Sequence, residues 1–213
     1  VDVREIRRLM LDSGTLHILP VIRGLESEVG VVQDAFEETD PDAVAVSISK
    51  EELAGLRDLR GDEEFELSSM EIVYADRLSN FGVVRMPPPC FLAALQLCLE
   101  HKIPIVPVDM NEEVYTDTYC EVVGTLDILK ESMMAKRIGR TAFAMETPEE
   151  FIIDWDRRVN RSRGFRELQL RREAHMAEVL ESVSRKRGSL MAVIEMERVE
   201  GVVDALRKSI GCV

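Results

Sequence analysis

The 213 residues carry 27 basic and 40 acidic side chains, a formal charge of −13. That balance speaks against nucleic-acid binding across the whole surface. No window approaches the ~18 uninterrupted apolar residues of a membrane span. A chain of this length buries a sizeable core, and 46% apolar with 31% charged residues is ordinary for a soluble globular protein. Cys90, Cys98, Cys120 and Cys212 lack metal-knuckle spacing and read as isolated thiols of a cytoplasmic protein. The opening Val1-Asp2-Val3-Arg4-Glu5 has no apolar leader core, and its lack of Met suggests trimming or an upstream start. Arg outnumbers Lys by 21 to 6, and Asn plus Gln number six, a bias that fits a heat-adapted source.

Short β-rich runs alternate with amphipathic segments, which predicts an α/β domain. Ile6 to Asp12 reads as a strand, with Gly14 permitting a sharp exit that presents His17 at the sheet rim. Gly24 to Glu38 then suits a helix, with Leu25, Val29, Val32 and Phe36 on one face. Ala43 to Ile48 is an apolar run expected to be covered on both faces. Ser49 and Glu52 form a capping box for the next helix. Asp62 to Asn80 reads as a helix with a polar start, and Pro87-Pro88-Pro89 feeds another from Cys90 to His101.

The strand Ile103 to Asp109 contains two prolines and is therefore predicted to be short or at an edge. Residues 111–187 form a mainly helical insertion within a single domain spanning 1–213. Thr147-Pro148-Glu149-Glu150 starts one of its helices, and a long helix follows Gly164. Ser189 to Ile194 is the last strand, and Val199 to Ile210 closes the chain as a helix.

Gly14-Thr15-Leu16-His17, Pro41 to Val46, Ile103 to Asp109, the final strand and Val199-Glu200-Gly201-Val202 together resemble the TraB/PrgY family. That family is grouped with Tiki, erythromycin-esterase-like and ChaN-like proteins, and the likeness spans about residue 5 to about residue 210. It implies an EreA/ChaN-like fold: a twisted, largely parallel or mixed sheet flanked by helices, with functional residues at strand ends facing one cleft. Members place a G-x-x-H after the first strand, a Glu after the second and another G-x-x-H after the last. In the Tiki branch these are linked to metal-dependent peptide hydrolysis, in which imidazoles hold the ion and a carboxylate activates its water.

The chain keeps only the first of these elements. Ser47 stands where the resemblance expects Glu, and Glu195-Met196-Glu197-Arg198 stands in place of the second G-x-x-H. Two functions follow. One is a diverged, non-catalytic protein that binds a partner or small ligand in the ancestral cleft, with His17, Ser47, Asp109, Arg172 and Arg198 as candidate contacts. The other is a metal-dependent hydrolase rebuilt on His17, Glu195 and Glu197, since carboxylates suit hard cations. The first expects no cofactor; the second would take Mn, Zn, Co or Mg. Asp109 is expected to cap the helix that follows it, and Glu197 and Arg198 to pair with neighbouring charges. His101 suits a helix C-terminus, and His175 a helix surface.

Arg157 to Arg172 holds seven arginines and one acid, Glu167. It is read as a solvated face paired with nearby carboxylates or as a subunit contact, with anion binding as the alternative. A homodimer is expected, with the apolar faces of residues 122–160 supplying contact and Trp155 as a core or interface anchor.

Overall fold

Gly14 opens a strand rather than ending one. In the computed structural model, which describes residues 4–11, 14–59 and 67–210, β1 (Arg7–Leu11) pairs antiparallel with β2 (Gly14–Val21). Val1 to Val3 and Cys212 lie outside the described residues, as do residues 62–66 of the helix expected over Asp62 to Asn80. β3 (Ala43–Val46), β4 (Ile105–Pro107) and β5 (Ser189–Glu195) complete a mixed five-stranded sheet in the order β1-β2-β5-β3-β4. β2, β5, β3 and β4 run parallel. The protein is therefore α/β.

The helices follow local signals in the sequence. α1 (Glu28–Thr39) precedes β3. In α2 (Lys50–Asp58) Ser49 and Glu52 exchange both capping-box hydrogen bonds. α3 (Ser69–Leu78) starts with a second box, Ser68 with Glu71. α4 (Pro89–His101) begins on the last of three prolines, where a missing N–H costs nothing. Asn111 caps α5 (Glu112–Val122), and α6 (Thr125–Ala135) follows. Thr147 caps α7 (Pro148–Val159). α8 (Arg163–Ser184) is the longest helix, and α9 (Met196–Ile210) starts directly on the end of β5.

Strand alternation divides the core. Leu19, Val21, Val44, Val46, Met191 and Val193 pack under α1, α2 and α4. Leu16, Ile18, Ala43, Ala45, Leu190 and Ala192 pack under α8 and α9. All four β3 residues are buried, as expected for a strand covered on both faces. The proline-bearing β4 is an edge, where lost donors are tolerated. No helix among the described residues is long and apolar enough to cross a membrane.

Candidate functional site at the carboxyl end of the sheet

In a parallel sheet the loops leaving the carboxyl ends of strands frame the crevice where ligands bind. Here those ends present Arg23 after β2, Ser47 after β3, Asp109 after β4 and Glu195 at the close of β5. The fixed register sets Val21 opposite Glu195 and Val46 opposite Val193, so these groups arrive side by side.

His17 does not join them. It lies inside β2, opposite Arg8 on one side and Met191 on the other. Val21 stands four positions further on, roughly 13 Å along a strand. The expected rim position is wrong because the chain turns back into an eight-residue strand at Gly14 instead of leaving the sheet there. Gly14 itself is required by close approach: a Cβ there would overlap the carbonyl oxygens of Arg187 and Gly188. Gly14 thus lies at the opposite end of the sheet, and His17 sits 9% exposed with no partner for Nδ1 among the described residues. Burial, then the Arg8 charge, lower its pKa against a smaller opposing pull from Glu38.

Ser47 is engaged by the backbone. Its N–H donates to the Val193 carbonyl at 3.1 Å, and its hydroxyl accepts from the Glu195 N–H at 3.0 Å. The side chain thus continues the β3–β5 ladder by one bond after the strand has ended. Asp109 is not a helix cap; Asn111 has that role. The Asp109 carboxylate instead accepts from the Met110 N–H at 2.8 Å and forms a two-pronged ion pair with Arg172, one bond at 3.2 Å.

Glu195 faces Arg23 at 3.4 Å, and Arg23 approaches Glu52 at 3.9 Å. Burial opposes the Arg23 charge, but Glu195 and Glu52 more than offset it and raise its pKa. Burial likewise opposes the charge of Arg172 before Asp109 overrides it. Glu197, in the first turn of α9, makes no ion pair within 4 Å among the described residues. Burial, reinforced by the Glu195 charge, pushes its carboxyl up to about 8 in spite of Arg198. The neighbouring glutamates therefore divide their roles: Glu195 pairs with Arg23, while Glu197 holds a proton at neutral pH.

Arg198 is 3% exposed and bridges two helices, donating to Glu173 at 2.7 Å and to Asp156. The expected pairing with neighbouring charges thus describes Arg198 and not Glu197. From Asp156 a chain of side chains runs across the site. Asn160 donates to Asp156 at 2.7 Å, Gln169 to Asn160 at 3.2 Å, and Arg172 to Gln169 at 2.8 Å. With Asp109 at one end and Glu173 at the other, this network ties α7, α8 and α9 to the exit of β4. Charge-assisted bonds of this kind are the stronger class.

Arg23, Asp156, Asn160, Gln169, Arg172, Glu195, Glu197 and Arg198 line one cleft of about 380 Å³, walled by Tyr74, Tyr115, Trp155 and Phe165. Trp155 packs against Tyr74, Phe143 and Phe151 with centroids 5.2–5.8 Å apart. Buried Glu28 fixes the approach to the cleft from below: its carboxylate accepts from the Ile22 N–H at 3.1 Å and from Arg4. Gly24, at φ 107°, then turns the chain away, a conformation glycine adopts freely. Arg23, Tyr74, Asn160, Gln169, Glu173 and Glu28 were all missed from the sequence. The largely apolar run from Leu16 to Ile22, just before Arg23-Gly24, is the signal that could have found Arg23.

The cleft can bind a polar ligand through ionised, protonated and amide groups held in fixed positions. No group of three or more His, Cys, Asp or Glu side chains poised to hold a metal ion is found among the described residues. Cys90 lies buried, and burial with the nearby Glu28 and Glu195 charges raises its thiol pKa far above neutrality, the wrong direction for a nucleophile. Neither the protein-family models nor the curated proteins include one that matches this sequence.

Proposed function

We propose that this chain is a diverged TraB/PrgY-like protein of EreA/ChaN-like fold that binds a small polar ligand, without turning it over, in the cleft at the carboxyl end of its sheet. The observation that carries this reading is the convergence of Arg23, Glu195, Glu197 and Arg172 on one aromatic-walled cleft, while Ser47 is engaged by the backbone and His17 stands elsewhere. The hydrolase reading has lost its only imidazole from the site, and each arginine there already faces a carboxylate. What remains is a set of donors and acceptors suited to recognition.

Trp155, the sole tryptophan, lines the cleft and reports on its occupancy. Its emission is expected to respond to some of a panel of amino acids, amines and sugar phosphates, with the response lost in Glu195→Gln/Glu197→Gln. Incubation with a fluorogenic peptide and Mn, Zn or Co is expected to give no turnover. Peptide cleavage that vanishes in Glu195→Gln would overturn the non-catalytic reading.

Self-association has one specific support. α6 buries none of its residues and exposes Leu126 (72%), Leu129 (57%) and Met133 (49%). We propose this face as the homodimer contact; light scattering that finds only monomer at high concentration counts against it.

A further inference from the structure

The arginine-rich stretch from Arg157 to Arg172 divides into two groups. Arg157 and Arg158 pair with Asp154, Arg171 with Glu121 and Glu167, and Arg172 with Asp109. Arg161, Arg163 and Arg166 make no ion pair within 4 Å among the described residues. In a chain of net charge −13, three cations left without a partner on one short stretch are against the general trend.

Their positions are electrostatically costly. Arg163 and Arg166 stand in the first turn of α8, which carries no acidic residue. The helix dipole is positive at that end and disfavours further cations. Arg161 and Arg166 also line a second hollow of about 700 Å³, together with Arg157, Arg158 and Arg198. Five arginines there face two acids, Asp156 and Glu173, and both acids already accept from Arg198. The hollow shares Asp156, Asn160, Gln169 and Arg198 with the cleft, so the two adjoin across these side chains. The Asn160–Gln169 bond lies along their common border.

We propose that this hollow is an anion seat, in which Arg161 and Arg166 hold the phosphate of a phosphate ester whose polar body lies in the cleft. Guanidinium forks match phosphate oxygens in geometry and remain charged at any physiological pH. An arriving phosphate relieves the repulsion between the unpaired arginines and the α8 dipole. The acidic and aromatic cleft next door suits the uncharged, hydroxyl-bearing part of the same molecule. The proposal rests on the cleft being a ligand site, and the two can fail separately.

Calorimetric titration with inorganic pyrophosphate, then with ribose 5-phosphate, tests it on the whole chain. Pyrophosphate is expected to bind at low salt, to weaken at least tenfold in Arg161→Gln/Arg166→Gln, and to keep its affinity within twofold in Glu195→Gln/Glu197→Gln. Ribose 5-phosphate is expected to bind more tightly than inorganic phosphate, an advantage that the glutamate double variant removes. Arg166→Glu is expected to raise the melting temperature by a few degrees while abolishing pyrophosphate binding, which separates lost recognition from lost fold. Unchanged pyrophosphate affinity in the arginine double variant overturns the proposal. So does a salt-sensitive dimer that this variant dissolves while pyrophosphate fails to bind, since the arginines then serve a second copy. A ribose 5-phosphate affinity equal to that of phosphate, with the arginine dependence intact, supports the anion seat and counts against the cleft reading alone.

Discussion

The Ser47 hydroxyl accepts the Glu195 N–H at 3.0 Å, one position beyond the last β3–β5 backbone pair. That bond locks the end of β5, and with it the backbone that aims Glu195 at Arg23. Ser47→Ala removes the acceptor from a buried N–H, which costs about 1–3 kcal/mol when nothing replaces it. Denaturant unfolding is expected to show that loss with an unchanged slope. A variant as stable as the wild type would mean that the N–H finds another partner.

Gly201 and Glu173 make a second such dependence. Gly201 stands on α9 where it faces α8, and a Cβ there would overlap the Glu173 carboxylate. Gly201→Ala therefore pushes Glu173 off Arg198, a buried cation. Arg198 keeps Asp156 and the carboxylate end of Glu173 can swing aside, so the loss is expected to be about 1–3 kcal/mol, the scale of one hydrogen bond to a charged group. Glu173→Ala/Gly201→Ala removes the clash, so the double variant should be more stable than the sum of the single effects by 1 kcal/mol or more, on the order seen for residues in contact. Strict additivity would sink the clash argument.

These dependences explain what could be read from the residues alone. Caps are local: Ser49 with Glu52 and Thr147 with Glu150 lie three positions apart and were legible as written. The prolines of β4 also announced an edge. The site is different, because it is made by register and by helix packing. Gly14 to His17 has the composition of a strand exit, yet the hairpin with β1 carries the strand on to Val21 and leaves Arg23 at the end of the sheet. Asp156, Asn160, Gln169 and Arg198 come from three helices, and nothing in their spacing foretells that they meet.

Glu197 gives a pH dependence of definite sign. Its carboxyl titrates near 8 in the fold against 4.5 ordinarily, so the folded state holds a proton that the unfolded chain releases between those values. Stability from this group is full below about 4.5 and declines as pH rises toward 8. Glu197→Gln, which stays neutral, should flatten that decline and be the more stable protein at pH 8. Parallel curves for variant and wild type from pH 5 to pH 8 would contradict the assignment.

His17, inside β2, predicts the opposite slope. Burial and Arg8 hold its pKa below 6.5, so the unfolded chain binds the proton more readily than the fold. Stability is then full above 6.5 and falls as the pH drops through that value and below. His17→Leu removes the titrating group and leaves no unpartnered Nδ1 in the core. It should therefore stabilise the protein more at pH 5 than at pH 8, as measured by thermal melts. Because His17 is roughly 13 Å of strand away from Glu195, the same variant should leave the Trp155 response to cleft ligands unchanged. Loss of that response with the fold intact would return His17 to the site.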